Sequence, residues 1–172
     1  MKSSRKIALM GMLLALVFVL GMVENMLPPI PFLPPNLKLG LANVAGMYCI
    51  FFVGKKEAYL LTILKSVFVF ITRGMIASVL SLSGGILSVT VILIARYLSK
   101  KSLSYITYSI FGAIMHNIGQ IVAFSLIMKN WYMLYYLPVL LISGVIMGAV
   151  TGSLLKYIMP YFNIIIKNEY YE

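Results

Sequence analysis

Residues 7–23 read IALMGMLLALVFVLGMV, an apolar run without a single charged side chain. A helix rises about 1.5 Å per residue, so about 20 such residues cross the roughly 30 Å hydrocarbon core of a bilayer. Lys2, Arg5 and Lys6 stand before the run and Glu24 stands after it, so charge marks both ends. Basic residues ahead of an apolar run also describe a signal peptide. No small-x-small cleavage site follows, and the run is read as a first span. Ile86–Ala95 is a second continuous apolar run. Continuous runs point to helices, because the strands of a membrane barrel alternate in polarity over segments of about ten residues.

The whole chain agrees. Of 172 residues, 62% are hydrophobic and 10% charged, and the mean hydropathy is +1.00. An ordinary soluble domain is roughly 25% charged, and a soluble fold of this length could not bury so much apolar surface. The expected fold is all-α: one transmembrane domain over 1–172, with spans at about 6–23, 40–54, 57–73, 79–98, 104–128 and 136–159. Between the first two spans, residues 24–39 contain Pro28, Pro29, Pro31, Pro34 and Pro35, which break a helix, among Met26, Leu27, Ile30, Phe32 and Leu33. A loop so apolar is expected to pack over the mouth of the bundle as a lid.

The formal net charge is +10, from 14 Lys and Arg against four Glu and no Asp. With the N-terminus cytoplasmic, the inner side carries Lys2, Arg5, Lys6, Lys55, Lys56, Arg96, Lys100, Lys101, Lys156 and Lys167, and the outer side only Lys38, Arg73 and Lys129. This positive-inside bias places both termini in the cytoplasm and the proline-rich loop outside a cytoplasmic membrane. Basic residues scattered over separate loops fit anionic lipid and do not fit nucleic acid. Cys49 is the lone cysteine, which excludes an internal disulfide and a cysteine-rich metal site.

A few polar residues fall inside the apolar spans. Lys65 lies near the middle of the third, where a lysine costs roughly 2.5–3.5 kcal/mol. Thr62, Lys65 and Thr72 share one helical stripe with Arg73 at its edge, a cationic face opening outward. It suits a small anionic or strongly polar molecule; alternatively Lys65 pairs with a carboxylate, for which Glu24 is the better placed, and Arg73 snorkels. In the fifth span His116, Asn117 and Gln120 form a second cluster, either hydrogen-bonding a ligand or joining helices. A lone histidine without carboxylate or cysteine neighbours is a poor metal site, and neither metal nor cofactor is expected. Gly144, Gly148 and Gly152 form a packing stripe on the last helix. Ala8, Gly11 and Ala15 form another on the first, which packs inside the bundle or docks another membrane protein. With no P-loop, no H-E-x-x-H and no recognisable triad, enzymatic function is not expected.

Three motifs in order carry a family resemblance: Leu37-Lys38-Leu39-Gly40-Leu41-Ala42-Asn43 after the proline-rich loop, Leu82-Ser83-Gly84-Gly85-Ile86-Leu87-Ser88, and His116-Asn117-Ile118-Gly119-Gln120. Over about residues 5–159 the chain resembles the Gx transporter family, also labelled heptaprenyl diphosphate synthase component I. That family is similar in size and span count to the substrate-binding S components of energy-coupling factor (ECF) importers. Asn36-Leu37 stands where a glycine usually precedes the lysine motif. The resemblance implies a substrate site on the outer side under the first loop, with Glu24, Lys38 and Asn43 nearby. It also implies docking through Ala8, Gly11 and Ala15 on a transmembrane coupling subunit, with ATP hydrolysed by separate subunits. The synthase label implies a different role, a non-catalytic membrane accessory in prenyl chain synthesis. A chain without aspartate cannot supply the aspartate-rich magnesium sites of such synthases.

Overall fold

The structure is a computed structural model that describes residues 3–26, 42–100 and 103–168. These form six α-helices: α1 (Ser3–Met26), α2 (Asn43–Phe52), α3 (Lys55–Arg73), α4 (Met75–Leu98), α5 (Tyr105–Ile127) and α6 (Leu137–Asn168). A short 3-10 helix, Trp131–Tyr136, leads into α6. The proline-rich loop and Lys38 lie outside the described residues.

Six helices stand where six spans were expected, but they are not six equal crossings. By length and composition, four segments suit a membrane crossing: Lys6–Glu24, Met75–Leu98, Tyr105–Ile127 and Trp131–Tyr157. α2 has 10 residues, about 15 Å of rise, half the hydrocarbon thickness. α3 has 19 residues and enough length, but it carries Lys65 within and charges at both ends. Its outer face is nevertheless apolar and exposed at Leu60, Ile63, Val67, Phe70 and Ile71. Large apolar side chains likewise cover the outside of α1, α4 and α6. That surface is suited to lipid, and the chain is a multi-pass membrane protein.

The turns follow from local chemistry. One residue, Gly74, links α3 to α4 with φ +84°, a conformation that strains any side chain. Ser104 caps α5 by accepting from Thr107 N at 3.2 Å, and Asn130 caps the 3-10 helix by accepting from Tyr132 N at 3.0 Å.

Glycine sets the closest helix approaches. Gly148 and Gly152 of α6 press on α5: a Cβ on either would lie 2.6 Å from the Cα of Ile110 or Ile106. The glycine stripe on the last helix is thus an internal packing seam. Between α4 and α5, a Cβ on Gly119 would lie 2.9 Å from the Cα of Gly84. The second and third sequence motifs therefore meet backbone to backbone. Hydroxyls add to the α5–α6 seam, where Ser109 and Thr151 are 2.6 Å apart.

The polar ends are segregated. Lys6 pairs with Glu57, Arg96 donates to Ile50 O at 2.8 Å, and Ser99 meets Tyr108 at 2.6 Å. These contacts gather the start of α1, the α2–α3 turn, the end of α4 and the start of α5 at one basic end. Glu24 and Arg73, at the far ends of α1 and α3, lie at the other.

Candidate functional site

The non-basic end of the bundle contains a cavity between α1, α3, α4 and α5. Its polar lining is Glu24, Lys65, Thr72, Arg73, Ser81, His116 and Gln120; Val17, Phe68 and Ala77 are among its apolar walls. Its empty volume is about 530 Å³, including the part open to solvent. Phe68 stacks on Phe18 with ring centroids 4.0 Å apart, which fixes α1 against α3 and brings Glu24 over the cavity. Glu24 is buried, at 6% exposure, and interacts electrostatically with both Lys65 and Arg73.

The half-buried Lys65 donates from Nζ to Asn43 Oδ1 at 2.7 Å. Asn43 opens α2, and it also ends the first sequence motif. An ammonium has three protons to donate, so this bond orients Lys65 without exhausting it. A second cavity, lined by Asn43, Met47, Thr62 and Ser88, shares Lys65, Ala42 and Val17 with the first. Lys65 and its amide partner thus stand in the wall between the two.

On α5 the predicted cluster divides. His116 and Gln120 are one turn apart and both line the first cavity; Gln120 Nε2 and His116 Nε2 are 3.1 Å apart. Ser81 Oγ and Gln120 Oε1 have no hydrogen-bond partner among the described residues, nor does His116 Nδ1. His116 Nδ1 lies against Gly84, where an added Cβ would come within 2.8 Å of it. Asn117 points the other way and donates to Leu140 O of α6 at 2.7 Å and to Ser143 Oγ at 3.4 Å. The structure therefore brings Glu24, Lys65, Arg73, His116 and Gln120 to one cavity. Asn43 reaches it through Lys65, and Asn117 is spent on helix packing. Ser81 was not singled out from sequence; a serine one turn before the Gly84-Gly85 pair is the signal it left.

The first-helix stripe is placed differently from the glycine seam. Ala8, Gly11 and Ala15 are exposed, and a Cβ on Gly11 would meet nothing within 4 Å. Among the described residues, no three His, Cys, Asp or Glu side chains converge as metal ligands would.

Comparison with known proteins adds to this geometry. No curated protein matches the chain. One solved structure, described as "Structure and mechanism of the S component of a bacterial ECF transporter", matches with a TM-score of 0.57. It is 23% identical, and the match covers 99% of this chain and 100% of that one. The likeness is one of fold along the full length. The family model for heptaprenyl diphosphate synthase component I matches residues 13–158, and the chain belongs to that family, as its three motifs foretold.

Proposed function

We propose that the chain is the substrate-binding membrane subunit of an ECF-type importer, energised by separate ATPase subunits, for a small anionic or polar molecule. The observation that carries this reading is the cavity at the non-basic end, where Lys65, Arg73 and Glu24 from two helices meet buried polar groups from two others. Charged side chains are expensive in a bilayer and are kept where they meet a polar ligand or a pathway. In this reading α2 and α3 complete six crossings and the basic end faces the cytoplasm of the cell, with both termini. The cavity then opens outward beneath the proline-rich loop, with Lys38 and Asn43 beside it. Ala8, Gly11 and Ala15 are the docking face for a transmembrane coupling subunit, since small residues admit close helix approach. The chain itself performs no catalysis.

Purification together with candidate coupling subunits, followed by mass spectrometry of released small molecules, tests the reading. A protein that neither docks nor retains a ligand overturns it. The family's name favours a second reading, a non-catalytic membrane accessory of heptaprenyl diphosphate synthase in isoprenoid or menaquinone side-chain synthesis. Deleting the gene then alters the length or yield of prenyl chains; unchanged chains exclude it.

A further inference from the structure

The lining of the cavity restricts the chemistry of its occupant, an argument that rests on the binding-subunit reading. Among the described residues its charged side chains are two cations, Lys65 and Arg73, and one carboxylate, Glu24. A net charge inside a low-dielectric bundle is costly. An anionic occupant offsets the excess of cations.

The inner wall sets a second condition. Gln120 and Ser81 are 5% and 7% exposed. The Gln120 amide nitrogen is engaged by His116, and Oε1 is left without a partner among the described residues. Ser81 Oγ is in the same state. Buried polar atoms are normally satisfied, and each one left unmade is costly. An amide oxygen accepts and never donates, so what completes it is an N–H or O–H. Sites built around such groups discriminate sharply against analogues that lack the matching donor, by up to about 10⁴-fold or more.

We propose that this cavity selects a small anion bearing its own N–H or O–H donors. Its anionic group lies at Lys65 and Arg73, and its donor edge lies at Gln120 Oε1 with Ser81 Oγ alongside. A prenyl diphosphate fails the second condition, because its hydrocarbon tail has no donor.

The test uses the full chain in lipid nanodiscs, incubated with the total small-molecule extract of bacterial cells and washed. Retained species are released and identified by mass spectrometry, and exchangeable hydrogens are counted after deuterium exchange. The expected species is anionic at neutral pH and has at least one exchangeable hydrogen besides its acid. Gln120→Met keeps the side-chain length and removes the acceptor; it is expected to retain at least tenfold less. Ser81→Ala, which barely changes volume, replaces it if Gln120→Met does not run as a monodisperse species. A retained species that is uncharged or free of donors overturns the inference and leaves the binding-subunit reading standing. So does one held equally by wild type and variant. Retention of nothing beyond empty nanodiscs overturns both.

Discussion

Lys65 of α3 donates to the Oδ1 of Asn43, the first residue of α2, across 2.7 Å. The bond ties the most costly side chain of the bundle to the end of the Leu37–Asn43 motif. It also holds α2, the shortest of the six α-helices, against α3.

Asn43→Leu removes the acceptor and leaves the ammonium without it. A hydrogen bond to a charged group is worth about 1.5–3 kcal/mol, and stability is expected to fall by about that amount. The measurement is unfolding of the purified protein in mixed micelles. Adding Lys65→Met to Asn43→Leu is expected to recover most of the loss, because both partners are then apolar. No recovery would show that Asn43 acts through α2 and not through Lys65.

Lys65→Ala is expected to weaken ligand retention at least tenfold while the protein stays folded and monodisperse. It removes the charge itself, and the amide it leaves at Asn43 is only half-buried. Equal retention by wild type and Lys65→Ala withdraws Lys65 from the site.

Two glycine stripes predict opposite outcomes. Gly148→Ala places a Cβ 2.6 Å from Ile110 Cα, so α5 and α6 must separate, at a cost of about 1–3 kcal/mol. Gly11→Leu meets open space and is expected to leave the thermal midpoint unchanged. It is nevertheless expected to abolish co-purification with a coupling subunit. A Gly11→Leu protein that docks normally moves the docking face elsewhere.

Membrane sidedness has a direct check. Lys100 follows α4 at the basic end and Lys129 follows α5 at the other; both are exposed. Cys49 is buried, so its background labelling is low. In intact cells a membrane-impermeant maleimide is expected to label Lys129→Cys, and to label Lys100→Cys only after permeabilisation. The reverse pattern inverts the topology and places the cavity on the inner side.

The neighbourhood of Lys129 gives a further check. Trp131, Tyr132 and Tyr135 are exposed, and aromatic side chains of this kind settle at the headgroup level of a bilayer. Trp131 is the one tryptophan of the chain, so its fluorescence reports this position alone. Quenching in vesicles is expected to be strongest with a quencher near the headgroups. Stronger quenching at mid-chain depth would place the 3-10 helix inside the bilayer.

Much of this protein is written in its sequence. Low charge and continuous apolar runs make it a membrane helical bundle, because water cannot solvate that surface. The six helical segments follow from glycine, proline and charge at their ends, and the basic residues mark one end before any folding is considered. Lys65, Arg73, His116 and Gln120 stand out because polar groups are rare in lipid-spanning runs. Periodicity gives a residue's angle on its own helix, but it does not name the neighbour at that angle. Only packing decided that His116 faces the cavity while Asn117, a rotation of about 100° away, is consumed by α6. Packing alone also paired Lys65 with Asn43 instead of leaving Glu24 its sole partner, left the Ser81 hydroxyl buried without a hydrogen-bond partner among the described residues, and closed one glycine stripe while leaving the other open. Each of these depends on which helices approach closely, and that distance is set by side-chain volume across the whole bundle.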